Sequence, residues 1–182
     1  MLHSAGVEET PEWPPIYLAW RQKVAAYWSI AWPSGVVSSV LIYLLTLSWS
    51  ADAPIVVFQL AGILAYFLYL IAQAFFVRRL VRKRYRSFRI EVARKGANCE
   101  PELSMAEIMK IWFQLAWPQA ALYFLVAAIA VWFSARNPQG AFGGSGLFLP
   151  LNMLVVGPTA AGHAIRKHYP GFHLLAYGQK FV

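Results

Sequence analysis

Four long segments without Asp, Glu, Lys or Arg constrain this 182-residue chain more than any other feature. The core of a bilayer, about 30 Å thick, is crossed by a helix of about 20 apolar residues. The chain is 59% hydrophobic and only 13% charged, whereas soluble domains are about 45–50% apolar and about 25% charged. We therefore expect an all-α membrane protein with four transmembrane helices, at residues 29–50, 54–77, 114–134 and 147–165.

The distribution of charge predicts how the chain lies in the membrane. Residues 1–15 form a polar tail whose carboxylates, without any Lys or Arg, are the reverse of a signal peptide's basic start. Of the 16 Lys and Arg residues, only Arg136 lies in a loop on the side away from the termini. Because positive charge is retained on the cytoplasmic side, we expect both termini in the cytoplasm of a bacterial cell, with the chain in the inner membrane.

Two blocks of sequence recur in the same order and at nearly the same spacing. The first, Ala31-Trp32-Pro33, returns in the second half as Ala116-Trp117-Pro118. In the second block, four residues return in the same way: Arg82, Lys83, Tyr85 and Phe88, as Arg166, Lys167, Tyr169 and Phe172. We interpret residues 16–96 and 97–182 as two tandem hairpins, related by an axis along the membrane normal. The alternative is that both blocks converged on the residues that membrane interfaces favour.

Each first span is preceded by an amphipathic stretch, Ile16–Trp28 in one half and Ser104–Phe113 in the other. Such stretches are typical of helices that lie in the membrane interface before the chain turns inward. We accordingly expect Pro33 and Pro118 in the first turns of the spans, where the missing N–H leaves no broken hydrogen bond. In the fourth span, Pro150 and Pro158 predict a kink.

The second span is followed by nine Lys and Arg residues between positions 78 and 95. Apolar residues recur beside them at spacings of three and four, a helical period: Val77, Val81, Tyr85, Phe88 and Val92. This pattern predicts a long basic cytoplasmic helix, residues 78–95, continuing from the span to a total of roughly 60 Å.

Three ligands suit such a basic run: anionic lipid headgroups, an acidic protein subunit, or a nucleic acid. We do not expect a nucleic acid, since no base-reading module flanks the run. The residues that we expect to bind lipid or a partner are Arg78, Arg79, Arg82, Lys83, Arg86, Arg89, Arg166 and Lys167.

The polar chemistry inside the spans is sparse. All eight carboxylates lie outside them, and the single cysteine, Cys99, excludes an intramolecular disulfide. Three of the four histidines are spaced five apart and so do not share a helix face. We therefore expect no catalytic residue, no metal site and no cofactor. Neutral polar side chains suit contacts between helices or the lining of a pore, and the candidates for a lining are Gln59, Gln114, Gln119, Asn152 and His163.

These features favour a non-enzymatic subunit of a larger inner-membrane complex, either a scaffold or part of a transport machine. Its partners would be anionic membrane lipids and other protein subunits. A small oligomeric channel or uncoupled transporter, with its pore at the repeat interface, is the alternative, and a membrane enzyme is the third possibility.

Overall fold

The computed structural model describes residues 16–47, 55–94, 97–100, 102–136 and 144–178. The expected polar tail 1–15, the first outer loop at 51–53 and most of the second lie outside them. The elements are α1 Trp20–Thr46, α2 Ile55–Phe76, α3 Arg78–Arg82, β1 Phe88–Arg94, β2 Ala97–Glu100, α4 Met105–Arg136, α5 Gly144–Leu151, a π-helical turn Asn152–Val156, α6 Gly157–Arg166, β3 His168–Tyr169 and β4 Phe172–Gly178.

Apolar helices dominate the structure. Three stretches are long and apolar enough to cross a membrane: Trp20–Thr46, Met105–Phe133 and Phe148–Arg166. A fourth apolar stretch, Leu60–Phe76 within α2, is shorter. By the length and composition of these helices, the chain is a mostly helical integral membrane protein.

The entries to α1 and α4 differ from the sequence prediction. The stretches expected to lie separately in the interface, Ile16–Trp28 and Ser104–Phe113, do not form separate helices. From Trp20 and from Met105 onward, each belongs to the same helix as the span that follows it. Pro33 and Pro118 consequently lie inside their helices and not in the first turns. Each amphipathic stretch has an apolar face that packs into the core, which favours one continuous helix over a bend at the proline.

The prediction of a long basic helix over residues 78–95 is wrong. The helix α3 ends at Arg82, residues 83–87 are irregular, and β1 begins at Phe88. Like charges at a spacing of four destabilise a helix, and no carboxylate within residues 78–90 offsets them. Tyr85 instead stacks on Phe88, at 4.3 Å between ring centroids, which folds the basic segment back toward the helices.

A four-stranded antiparallel sheet, absent from the all-α prediction, lies beyond the helix ends. Its strand order is β2-β1-β4-β3. The central pair joins β1 to β4 along their whole lengths, from Phe88 opposite Gly178 to Arg94 opposite Phe172. Alternate residues of β1 are buried, namely Phe88, Ile90 and Val92. These side chains belong to the same core cluster as buried residues of α1, α4 and α6, so the sheet and the helices form one packed unit.

In the fourth span, where Pro150 and Pro158 predict a kink, the structure has a π-helical turn between α5 and α6. The amide of Gly157 donates to the carbonyl oxygen of Asn152, five positions earlier. Pro158 has no N–H, and its ring crowds the carbonyl of the preceding turn. The wider turn accommodates that defect, and such turns occur frequently at functional sites.

Candidate functional site

Five buried polar side chains meet at the centre of the helices, and we call them the central polar cluster. They are Tyr27 of α1, Tyr69 and Gln73 of α2, Gln119 of α4 and Asn152 of the π-helical turn. Each is at most 7% exposed. Buried polar groups are costly unless they are hydrogen-bonded, so their arrangement fixes how the four helical elements meet.

Hydrogen bonds connect the whole cluster. Gln73 and Gln119 form a reciprocal amide pair, with both N···O distances 3.1 Å. The hydroxyl of Tyr27 lies 2.8 Å from that of Tyr69 and donates to Gln119 Oε1 at 2.8 Å. Asn152 Nδ2 donates to Gln119 Oε1 at 3.1 Å. Gln119 is therefore the hub, since its amide is bonded directly to α1, to α2 and to the π-helical turn.

The π-helical turn brings Asn152 and Gly157 to the same side chain. Asn152 Nδ2 donates to the Tyr27 hydroxyl at 3.2 Å. Gly157 lies against the Tyr27 ring so closely that a Cβ at this position would overlap the ring atoms. Close packing of α6 on α1 thus requires glycine at position 157. The π-helical turn places Asn152 against the hydroxyl of the same tyrosine.

Two buried polar atoms beside this network have no hydrogen-bond partner among the described residues: Asn152 Oδ1 and the Tyr66 hydroxyl. Tyr66 stacks on Tyr123, with ring centroids 4.2 Å apart, and Phe148 meets both rings edge-on. An aromatic wall therefore flanks the cluster. The assembly is uncharged, which suits it to hold helices together or to bind a neutral or weakly polar group.

The predicted lining residues only partly come together. Gln119 and Asn152 are hydrogen-bonded members of the cluster. Gln114 is half-buried on another face of α4, and His163 is exposed in the last turn of α6. The side chain of Gln59 lies outside the described part of the chain. The sequence offers no signal for Tyr27 and Tyr69, since tyrosine in an apolar segment is more often an interfacial anchor.

The eight basic residues expected to bind lipid or a partner gather where the helices meet the sheet, and we call this surface the basic junction. Seven are exposed, and Lys167 is half-buried. The first four residues belong to α3 and its C-cap. Arg86 lies in the irregular segment before β1, Arg89 lies in β1, and the last two are the end and the C-cap of α6: Arg78, Arg79, Arg82, Lys83, Arg86, Arg89, Arg166 and Lys167.

Ion pairs occupy part of the basic junction. Arg82 contacts Glu102 at 3.0 Å and Arg89 contacts Glu91 at 3.1 Å. Exposed pairs of this kind contribute little to stability, typically up to about 1 kcal/mol. The two pairs leave the surface with a large positive excess, because Glu91 and Glu102 face eight cations.

Two tyrosine–phenylalanine stacks support the junction. Tyr85 packs on Phe88, and Tyr169 packs on Phe172 with centroids 4.7 Å apart and planes only 3° from parallel. Burial raises the pKa of Tyr85 to about 12 and that of Tyr169 also to about 12. Both hydroxyls therefore stay protonated at physiological pH and can donate hydrogen bonds, Tyr169 to the carbonyl of Ala164 at 3.1 Å.

The histidines of β3 and β4 face each other. His168 and His173 are opposed across the strand pair, with ring centroids 5.5 Å apart. Within the described ranges, no group of three or more His, Cys, Asp or Glu side chains could hold a metal ion.

Comparison of the chain with protein-family models, with curated proteins and with solved structures finds no match.

Proposed function

We propose that this protein is a non-enzymatic integral subunit of a larger membrane complex. Two tandem hairpins, with four spans in all, would form its membrane part. The basic junction and the sheet would lie on the cytoplasmic side and dock anionic lipid and a partner subunit.

The four-span arrangement is supported by the direction of the helices. The helix α2 has 22 residues, which correspond to about 33 Å at about 1.5 Å per residue, enough for a bilayer core. The ends of α2 and α6 both lead into strands of one sheet. If each hairpin enters and leaves the membrane on that side, α2 is the return span of the first hairpin.

The helix starts support a tandem duplication. The first residues of α1 and α4, Trp20 and Met105, lie equally far ahead of Pro33 and Pro118. In each helix the side chain of the third residue accepts a hydrogen bond from the backbone N–H of the residue before the helix. Gln22 accepts from Ala19 at 2.8 Å, and Glu107 accepts from Ser104 at 2.7 Å.

The helix exits correspond in the same way. Lys83 and Lys167, matched in the second repeated block, are both C-caps in extended conformation, with φ of −79° and −72° and ψ of 127° and 132°. Each side chain then lies over the ring of the tyrosine two positions later, with the ammonium nitrogen 5.5 and 5.9 Å from the centroid. Convergence on interfacial residue types would not by itself reproduce these backbone angles.

The register of the sheet is the strongest support for the repeat. The strands β1 and β4 have identical lengths, and each begins at the phenylalanine of the second repeated block, Phe88 and Phe172. Their antiparallel pairing places Glu91 opposite Leu175, each the middle residue of its strand. A two-fold axis through this pair exchanges the strands, as a parallel repeat about the membrane normal requires.

The proposed orientation follows the positive charge. Among the described residues, the basic junction and the sheet lie at the ends of the helices that carry 13 of the 14 cations, whereas Arg136 ends α4 at the other side. The exposed Trp32 and Trp117, at corresponding positions of α1 and α4, would both lie at one depth in the cytoplasmic leaflet.

One observation carries the proposed function: eight cations converge on one surface directly below the apolar helices, and a folded sheet holds them there. Each basic residue near an anionic membrane surface contributes about 1 kcal/mol of attraction. Because only two carboxylates contact these eight cations, the surface keeps a net positive charge. Electrostatic complementarity would orient an acidic partner on it.

The test is purification in mild detergent, with and without substitution of four basic residues. In the variant Arg78→Gln, Arg82→Gln, Arg86→Gln and Arg89→Gln, we expect normal membrane insertion but loss of stoichiometric partners as the salt concentration rises. The control is Arg136→Gln, at the far end of α4. Retention of all partners by the fourfold variant at high salt would contradict the docking role.

A channel or uncoupled transporter is the second candidate, favoured by the unpartnered Asn152 Oδ1 at the centre of the bundle. If this carbonyl lines a path, Asn152→Leu should abolish flux through purified protein in liposomes without preventing assembly. A homo-oligomer without foreign partners in mild detergent would favour this candidate over the subunit.

A further inference from the structure

A groove opens on the second half of the chain, between the start of α4 and the turn that joins β3 to β4. Its volume is about 420 Å³. Two lysines, Lys110 and Lys167, lie beside mostly apolar walls formed by Met109, Phe113, Tyr169 and Pro170. A cleft lined by two lysines and by apolar side chains matches an amphiphile that carries negative charge at one end.

The apolar wall continues along α4 away from the sheet. Four exposed apolar side chains follow one another at every fourth position: Met105, Met109, Phe113 and Trp117. Their exposed fractions are between 42 and 59%. Residues at that spacing share one face of a helix, so this stripe leads from the groove along the membrane-facing side of α4. A free phosphate would contact the lysines but would gain nothing from the stripe.

The corresponding place in the first half is built differently. When Trp32 is aligned with Trp117, Ala25 stands where the second half has Lys110. There the hydroxyl of Ser29 is hydrogen-bonded to that of Tyr85 at 2.9 Å.

In the second half, Gln114 replaces Ser29, and the Tyr169 hydroxyl donates to Ala164 at the end of α6 instead. These replacements supply a cation and turn the tyrosine hydroxyl away from α4. The two halves therefore differ at this place, and the groove described here belongs to the second half.

We infer that this groove binds one anionic phospholipid, with its phosphate between Lys110 and Lys167 and an acyl chain along Met109, Phe113 and Trp117. The inference rests on the proposed function in one respect, namely that the basic junction lies at the level of the headgroups. It identifies a discrete site within a surface that otherwise attracts lipid only through its overall charge.

Native mass spectrometry of the full-length chain in mild detergent tests the site. Phosphatidylglycerol, phosphatidylcholine and soluble glycerol 3-phosphate are titrated separately. We expect one tightly retained phosphatidylglycerol, weaker retention of phosphatidylcholine and no retention of glycerol 3-phosphate. The double variant Lys110→Gln and Lys167→Gln should weaken retention of phosphatidylglycerol roughly tenfold or more, as loss of two headgroup cations implies.

The matched control removes the same charge elsewhere, by Arg21→Gln and Arg84→Gln, two exposed residues outside the groove. Retention should then stay within about twofold of the wild type, if a local site and not net charge holds the lipid. Lys110→Arg with Lys167→Arg keeps the charge and should restore most of the retention.

Equal losses in the control and in the lysine variant would overturn the inference, as would equal retention of phosphatidylcholine. Retention of glycerol 3-phosphate as tight as that of phosphatidylglycerol would identify a free-phosphate site instead. The measurement needs no protein partner, so a failure to find partner subunits would contradict the proposed function while this result stood by itself.

Discussion

At the scale of single residues, the contact between Gly157 and the Tyr27 ring determines how closely α6 approaches α1. A methyl group at position 157 would overlap the ring, while the ring is held in place by hydrogen bonds from its hydroxyl to Tyr69 and Gln119. The tyrosine cannot move aside without leaving the central polar cluster. Packing and hydrogen bonding at this point therefore depend on each other.

We expect Gly157→Ala to lower the free energy of unfolding by about 1–3 kcal/mol, the usual cost of overpacking a well-filled interior. Reversible unfolding in detergent, followed by circular dichroism, measures the change. Gly62→Ala is the matched control, because a Cβ there meets no atom within 4 Å. Equal effects of the two substitutions would contradict the close contact.

The hub of the cluster gives a second prediction. Gln119→Leu removes the acceptor shared by Tyr27, Gln73 and Asn152, so that each of these buried donors loses one hydrogen bond. We expect a loss of about 1–3 kcal/mol in the same unfolding measurement. Gln114→Leu, on the half-buried face of the same helix, should change stability much less.

At the scale of elements, the sequence patterns were a better guide to burial than to secondary structure. Val77, Val81, Tyr85, Phe88 and Val92, interpreted as one helical stripe, are all buried. They nevertheless belong to a helix end, an irregular segment and a strand. The signal that could have revealed β1 is the alternation of Phe88, Ile90 and Val92 with Arg89 and Glu91. A partner strand in the other half of the chain leaves no local trace of the pairing.

The candidate site was predictable to a similar degree. Gln119 and Asn152 could be selected because amides in an apolar helix need partners. Their connection through Tyr27 and Tyr69 could not be derived, because it depends on helix packing and on the π-helical turn. The basic junction was identified from charge alone, although its support is a sheet and not a helix.

The pairing of β1 with β4 can be tested by cross-linking. In a Cys99→Ser background, Glu91→Cys with Leu175→Cys should form a disulfide on mild oxidation, since directly opposed strand residues bring their Cα atoms to about 4.5–5.5 Å. Arg89→Cys with Leu175→Cys is the mismatched control, because Arg89 pairs with Tyr177. A shift of mobility in non-reducing electrophoresis reports the bond, and equal yields from both pairs would argue against this register.

At the scale of the whole molecule, one continuous helix separates the basic junction from the far end of the membrane part. The 32 residues of α4 correspond to about 48 Å at about 1.5 Å per residue. Cys99, in β2, and Arg136, at the end of α4, should therefore lie on opposite sides of a bilayer.

We expect a membrane-impermeant thiol reagent to label Cys99 only after the cells have been permeabilised, so that the reagent reaches the cytoplasm. In the reverse experiment, Cys99→Ser with Arg136→Cys should be labelled in intact cells. Labelling of Cys99 from outside intact cells would contradict the proposed orientation, because the basic junction would then lie on the outer side of the membrane.

The ladder between β1 and β4 also has a consequence for biogenesis. The strand β1 is synthesised before the second hairpin, whereas its partner follows α6. In the proposed topology, the β4 side of β1 would stay unpaired while the second hairpin is being inserted, and the apolar face of Phe88, Ile90 and Val92 would lack the neighbouring side chains of β4. The first half would then pass through an incomplete stage, exposed to quality-control proteases and chaperones until β4 closes the sheet.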